Sequence, residues 1–486
     1  MNHENLAIVV LAAGQGTRMK SRTPKVLHRI GGRPLVGHVL HTAESLGAQV
    51  IEVVVRHERD RVVETVSSHP GVTVVDQDDV PGTGRAVQLA VDALPAGFDG
   101  DVLVLSGDVP LLDAGALSAL VEQHRAAGAE ATVLSALLDD ATGYGRIVRD
   151  ADGLVERIVE HKDASDDERA IGEINAGVYV FRAAGLRESL PRLNADNAQG
   201  ELYLTDVVRL LREAGRAVAA SIAADARVAL GVNDRAQLSE AARILNDRIV
   251  RRWQLEGVTI QDPATTWIDD TVTLAQDVTI LPNTHLLGAT IVAEGATIGP
   301  DTSLTDCEVG EDAVIRRSDA TLAVFGPGST VGPFAYVRAG TTLGEGGKIG
   351  TFVESKNSQI GDGSKVPHLS YVGDATIGRH VNLGASTITA NYDDVNKHRT
   401  VIEDHVHTGT HNDLVAPVRL GVGAKTGSGA VIRKDVPAGA LALSVAPQRN
   451  SLGWVEKNRA GTPAADAARQ AREAEEAAGG SEAKEG

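Results

Sequence analysis

Aromatic residues are scarce in this chain: Phe, Trp and Tyr make up 3% of its 486 residues. Whatever cores it builds must be filled by Val, Ile, Leu and Ala. There is one cysteine, Cys307, which excludes an intrachain disulfide and fits a reducing compartment, so a cytoplasmic location is expected. No apolar run approaches the ~20 residues that cross a bilayer, and the opening MNHENLAIVV lacks the basic stretch of a signal peptide, so no membrane insertion is expected. Positive charge is in deficit as well. The 47 Lys and Arg against 65 Asp and Glu leave a net charge of -18, which argues against nucleic acid as a partner. Anionic ligands then need local basic pockets, and Arg18, Lys20, Arg22 and Lys25 form the evident one.

What is present divides the chain in two. The first part alternates short aliphatic strands (Ala7–Leu11, Ile51–Val55, Val72–Val75, Val102–Leu105, Ala131–Leu137, Gly177–Phe181) with amphipathic segments such as Gly84–Leu94 and Leu117–Ala127. That alternation predicts an α/β domain: a doubly wound, Rossmann-like, mostly parallel sheet whose ligands bind at the carboxyl ends of the strands. Near Gly231-Val-Asn-Asp234 this domain ends, Asn233 or Asp234 offers a helix cap, and Ala236–Trp253 has helical periodicity. From about Gly257 to Pro437 an aliphatic residue recurs every six positions. The register is clearest at Val331, Val337, Leu343 and Ile349, again at Ile360, Val366 and Val372, and from Ile402 to Ile432. A six-residue period is one flat side of a triangular solenoid, so an all-β domain is expected here, a parallel β-helix of hexapeptide repeats with roughly ten coils. The polar stretch Thr389–Arg399 reads as a loop thrown out of a coil, and Ala460–Gly486 lacks anchoring apolar residues, so disorder or weak helix is expected there. The expected division is 1–232 nucleotide domain, 233–256 linker helix, 257–459 β-helix and 460–486 disordered tail.

Two constellations carry chemistry. In the first, the strand from Ala7 runs into Gly14-Gln-Gly-Thr-Arg18, where backbone N–H groups can approach phosphate oxygens. The third glycine of a dinucleotide fingerprint and the GK[ST] of a P-loop are absent, so side chains must share the contact with the phosphates. A structural turn with a solvated basic face is the plain alternative. Ser106-Gly107-Asp108 puts a carboxylate at the tip of a buried strand, where an oxygen ligand suits Mg²⁺; a surface turn is the alternative there. Pro81-Gly82-Thr83-Gly84 opens a helix and can read a base through backbone groups.

These residues resemble the sugar-nucleotide pyrophosphorylases: LAAGQGTRM with Lys25, Gln77 with Gly82-Thr83, and SGDVP. Thr142-Gly-Tyr-Gly145-Arg-Ile, Val159-Glu160-His-Lys, Glu173-Ile-Asn175-Ala-Gly and Asn197-Ala-Gln-Gly-Glu201 narrow the resemblance to the uridylyltransferase half of the bacterial bifunctional enzymes that make UDP-N-acetylglucosamine. By that resemblance Leu11, Ala12, Ala13, Gly14, Gln77, Gly82 and Thr83 surround uridine, with Ser106 and Gly107 beside them. Arg18 and Lys25 face the triphosphate as catalytic cations, Gly145, Glu160 and Asn175 hold the sugar, and Asp108 with Asn233 holds Mg²⁺. Gln15, Arg85 and Leu202 depart from the usual pattern.

The second constellation lies in the solenoid. His368 stands near Glu354 and Lys356, within a polar set of Arg338, Lys356, His368, Tyr371, Asn382, Asn391 and Tyr392 that is dense for an aliphatic region. A satisfied structural histidine is the alternative for His368. The resemblance extends through this half and implies a left-handed β-helix, an acetyl-CoA-dependent N-acetyltransferase and a homotrimer formed through the β-helix. It makes His368 the general base, with Glu354 orienting it, and gives Arg338, Lys356, Tyr371 and Asn382 to glucosamine 1-phosphate. Ala385, Asn391, Tyr392, Thr410 and Ser428 go to acetyl-CoA, with Lys397 in the adjoining loop. Val445 departs from a CoA-binding Arg, leaving Arg449 or Trp454 to compensate. The implied function is acetylation of glucosamine 1-phosphate, then transfer of UMP from UTP to the product with release of pyrophosphate, supplying peptidoglycan and cell-envelope precursors. A single-function pyrophosphorylase whose β-helix only oligomerises, and a zinc hydratase using His405, His407 and His411, are the competing readings.

Overall fold

The computed structural model describes residues 5–444 and 448–482. In its first half, seven strands form one sheet in the order Val218–Ile222, Ala131–Leu137, Glu173–Arg182, Asp101–Ser106, Leu6–Leu11, Val50–Val55, Val72–Asp76. Glu173–Arg182 runs antiparallel to both neighbours and the other pairings along this path are parallel. Central strands such as Leu6–Val10 are wholly buried, as expected where helices cover both faces. Alternate residues feed two separate aliphatic layers, Ile8 and Val10 into one and Ala7 and Val9 into the other. The strands Arg146–Arg149 and Val155–Val159 form a side hairpin joined to Ile174; their mixed polar sequence hides them from a search for aliphatic runs.

One strand residue breaks the pattern. Glu52, between Val9 and Thr73 in register, is 3% exposed and its Oε2 has no hydrogen-bond partner. Burial alone pushes its pKa up to about 7.

The second half is the expected left-handed parallel β-helix. Its three walls hold stacks of parallel two- to four-residue strands, ten of them on the wall from Trp267–Ile268 to Val431–Ile432. Thr330 pairs with Lys348 and Lys348 with Lys365, steps of 18 and 17 residues per coil. The hexapeptide residues Val331, Val337, Leu343, Ile349, Ile360, Val366 and Val372 all point into one continuous aliphatic core. After Ala375 the step lengthens to 25 residues, because Ala375 pairs with Thr400. The excess is the expected loop, a small hairpin closed by a Tyr392–Lys397 bridge. Asp393 organises it, accepting from the Asn396 and Val395 amides and from His398, and these bonds lower its pKa to about 2.

Helix Arg235–Leu255 joins the halves, capped by Asp234, whose side chain accepts from the Gln237 amide. Its Ile249, Val250 and Trp253 close the end of the solenoid core. Asn246, buried on the same helix, pairs with the first coil through Thr266 O and Ile268 N. Arg33 of the first half reaches Asp270 at 3.1 Å. The tail, for which disorder or weak helix was expected, is helical over Pro463–Glu482. Alanine needs no anchoring contact to favour a helix, and Arg472 braces this one against Glu476 and against Glu456 of the preceding helix.

Replacing Glu52 by Met should stabilise the protein at neutral and alkaline pH. A carboxyl whose folded pKa is raised keeps its full contribution below the unfolded value near 4.5 and loses stability as pH rises towards 7. The stability difference in urea should therefore be small at pH 4.5, grow to about 3 kcal/mol by pH 7 and level off above it; a pH-independent difference would contradict this origin.

Candidate active sites

At the carboxyl ends of the central strands two cavities meet at Lys25. One, about 520 Å³, is lined by Leu11, Ala13, Gly14, Gln77, Gly82, Thr83, Ser106 and Asp108, together with Gln15, Arg56, His57 and Glu201. The other, about 550 Å³, is lined by Gly16, Thr17, Arg18, Asn233, Gly143, Glu160, His161, Lys162 and Gln199. Ala12 is buried beneath, its amide on Val54 O, and the Gly107 amide ties its turn to Leu11 O.

Glycine matters at Gly82. Its φ of 123° is open to few other residues, and a Cβ there would meet Leu202 O at 2.3 Å. The Pro81–Gly84 turn is hydrogen-bonded to the Leu202 backbone on both sides, and the Leu204 amide donates to Thr83 Oγ1. Gln77 Nε2 donates to Gly82 O at 3.2 Å. The turn is thus a rigid frame whose remaining backbone groups face the cavity. Leu202 contributes here through its main chain, which explains why its side chain is free to differ.

Asp108 and Asn233 are 125 residues apart in sequence and come together because Val232 N donates to Asp108 O at 2.9 Å. Lys25 Nζ lies between them, on Asp108 Oδ2 and 3.4 Å from Asn233 Oδ1. Arg18 donates to the same Asn233 oxygen at 2.8 Å. Two oxygens that already share one cation form a donor set suited to Mg²⁺, which takes few protein ligands beside substrate oxygens.

The sugar-binding candidates lie deeper. A register shift between Asn175 and Tyr179, with Gly177 at φ 69°, re-aims the strand. Asn175 then donates to Tyr179 Oη at 2.6 Å and accepts from the Gly177 amide, while its own amide bonds Gly145 O. Gly145 stands beside both Asn175 and Glu160, whose Oε1 would sit 3.6 Å from an added Cβ. Burial, then Asp163 and Asp206, raise the pKa of Glu160.

On the β-helix the expected residues separate into two groups. The carbonyls of Thr351, His368, Ala385 and Thr410 each accept from the corner residue of the next coil. His368, Ala385 and Thr410 therefore stand one above another, and the amide of Ser428 follows next to Gly409. Asn382 shares this wall, bridged to Lys365 and His407, with its side-chain amide 3.2 Å from His407 Nε2. The second group stands on the next wall, with Glu354 and Tyr371 at its start and Lys356 and Gly373 towards its other end. Arg338 bonds Glu354 at 3.0 Å within the chain. Lys397, then Arg338, crowd Lys356 and lower its pKa. Asp374 accepts from Asn357 and Asn391. Tyr371 Oη and Asn391 Nδ2 both lie over Gly373, 2.4 and 2.9 Å from where a Cβ would be. Tyr392 is exposed and donates to Asp394 O. From the corner beside His368 to Lys356 the chain runs four extended residues, roughly 13 Å.

The three histidines weighed as a zinc site diverge: His405 stacks on His380 at 5.3 Å, His407 faces Asn382, and His411 turns a corner at φ 52°. Among the described residues no group of three His, Cys, Asp or Glu is placed to hold a metal ion. Val445 lies outside the described residues. Trp454 is half-exposed beneath Arg459, and Arg449 is exposed. Sequence reading passed over Arg56, His57, His161, Lys162 and Gln199. The last three sit inside motifs it had singled out, and the first two follow a strand end, which was the available signal.

Residues 8–253 match the model of the MobA-like NTP transferase domain. The chain is 61% identical over 468 residues to the bifunctional protein GlmU of Clavibacter sepedonicus, covering 96% of this chain and 95% of that protein. It is 62% identical over 471 residues to that of Leifsonia xyli subsp. xyli, with 97% of each covered. Against that of Kineococcus radiotolerans it is 59% identical, with 96% and 95% covered. The chain belongs to the bifunctional GlmU family, a nucleotidyltransferase and a hexapeptide β-helix on one polypeptide.

Proposed function

We infer that the chain makes UDP-N-acetylglucosamine in two steps on two separate sites. The β-helix acetylates glucosamine 1-phosphate from acetyl-CoA, and the first domain then joins the product to UTP. The observation that carries the second step is the meeting of Asp108, Asn233, Lys25 and Arg18 where two cavities join. UTP lies with its base along the Gln77–Thr83 frame and its phosphates towards Lys25 and Arg18. A phosphate oxygen of the sugar phosphate attacks the α-phosphorus in line, the α–β bond breaks and pyrophosphate leaves. Asp108 and Asn233 would hold Mg²⁺, which when bound would supply charge neutralisation. Arg18 and Lys25 stabilise the same developing charge and hold the reacting groups in line. The sugar phosphate is already a competent nucleophile, so no covalent enzyme intermediate is required.

In acetyl transfer, the amine of glucosamine 1-phosphate attacks the thioester carbonyl. His368 takes a proton from the amine, and the sulfur leaves as CoA thiolate to be protonated. Arg338, Lys356 and Lys397 form a cationic edge with Asp374 and Glu354 as counter-charges, which suits the sugar phosphate. Ala385, Thr410 and Ser428, stacked above His368, give a track for the acyl donor.

On one chain the base and the cationic edge sit at opposite ends of a wall, so a complete site needs a second copy. The corner column beside His368 is apolar and exposed: Phe334 stacks on Phe352 at 5.5 Å, and Leu369 continues the line. A homotrimer that covers this column brings one copy's His368 to its neighbour's Lys356 and explains the exposed apolar surface. A cytoplasmic location agrees with the absence, among the described residues, of any helix long and apolar enough to cross a membrane.

Asp108→Ala should cut UDP-sugar formation by a hundredfold or more while leaving release of CoA thiol intact. His368→Ala should do the reverse. Loss of both activities in either folded variant would sink the two-site reading. Gly373→Ala should lower acetyl transfer alone, by displacing Tyr371 and Asn391; unchanged acetylation would remove those side chains from the site. Phe352→Glu should give a smaller species by light scattering that has lost acetylation and kept uridylyl transfer, whereas an active trimer would refute the proposed interface.

A further inference from the structure

Three cations line the cavity between the nucleotide loop and the sugar residues: Arg18, Lys25 and Lys162. The first two are already engaged with the metal-binding pair, Lys25 on Asp108 and Arg18 on Asn233. Lys162 is engaged differently. Its Nζ donates to Gln199 Oε1 at 2.8 Å, and Gln199 Nε2 donates onward to Tyr203 Oη at 2.8 Å. That second bond fixes which face of the amide Lys162 meets. A neutral amide positions the ammonium without cancelling its charge, so Lys162 keeps a full positive charge for an anion. Its place in the chain sets which anion. Lys162 follows Glu160 by two residues, on the loop that leaves strand Val155–Val159, and Glu160 lies against Gly145 and Asn175 at the sugar end. Arg18 and Lys25 approach from the opposite, nucleotide side. Glu160 is the one acidic side chain among the residues lining this cavity, against the three cations.

We propose that Lys162, held by Gln199, grips the phosphate of the incoming sugar phosphate and positions its attacking oxygen, leaving the triphosphate to Arg18 and Lys25. The two loops that carry Lys162 and Gln199 then form a strap across the mouth of the cavity, fastened on the substrate side of the reaction. This assignment rests on the uridylyl-transfer reading above.

Lys162→Met should raise the KM for N-acetylglucosamine 1-phosphate about 10- to 100-fold, with the KM for UTP within twofold of the parent. Gln199→Ala should shift the same constant in the same direction by a smaller factor, and Lys162→Arg should recover most of the loss. Acetyl transfer by each variant reports that the chain is folded. A sugar-phosphate KM within twofold of the parent in Lys162→Met overturns the assignment. An equal rise in the KM for UTP, or for pyrophosphate in the reverse reaction, also overturns it, because Lys162 would then serve the triphosphate. A parent protein with no uridylyl transfer at all overturns both this proposal and the reading beneath it.

Discussion

The hydrogen bonding of each coil of the prism to the next is the constraint on which the acetyl-transfer half depends. Coil-to-coil bonds from backbone amide to carbonyl fix every residue's height, and the aliphatic residue inside each wall fixes which neighbours face out. Once Leu369 N bonds Thr351 O and Ser386 N bonds His368 O, His368 and Ala385 have no freedom to lie anywhere but in one column. Chemistry on such a scaffold is written vertically: residues 17 or 18 apart become neighbours, while residues four apart are separated by most of a wall. The single irregular step, from Ala375 to Thr400, is where the scaffold gives up a turn of chain to a hairpin that delivers Asn391 to Asp374 and Lys397 to Lys356.

The nucleotidyltransferase half works under a different rule. Its strands are buried on both faces and the polar side chains they carry are mostly paired, as Ser135 is with Glu173 and Asn175 with Tyr179, so function collects mainly where the strands end. Glu52 lacks such a partner, and its orphan oxygen shows what an unpaired carboxylate costs in that interior. Asp108, two residues past strand Asp101–Ser106, is instead met by Lys25 and by the Val232 amide. The same residue type is a burden in the layer and a tool at its edge.

Much of this was legible from the chain. Strand Leu6–Leu11 and the hexapeptide positions Val331 to Ile349 announce themselves because burial demands aliphatic residues at fixed periods. Asp234, Gly82 and the excluded loop were legible for the same reason: each is a residue type that only one local geometry favours. Strands Arg146–Arg149 and Val155–Val159 were not, since their outward residues are charged. The tail left disorder and weak helix both open, because helix propensity leaves no apolar pattern. The bond from Arg338 to Glu354 could not be read from local motifs, because it joins neighbouring coils 16 residues apart. The division of the acetylation residues into two groups could not be read from spacing, because spacing counts positions along a wall and is silent on which end of it meets another molecule.

Helix Arg235–Leu255 belongs to both cores at once. Ile249, Val250 and Trp253 complete the solenoid, while Ala241, with Leu238 and Leu245 beside it, packs against Met19 of the phosphate loop. A cut placed between the activities at residue 257 would strip the prism of its lid and leave the loop without its backing. The border between the two chemistries is therefore not a border between two autonomous folding units: an excised β-helix needs the helix as its own first element, and an excised nucleotidyltransferase needs it as its last.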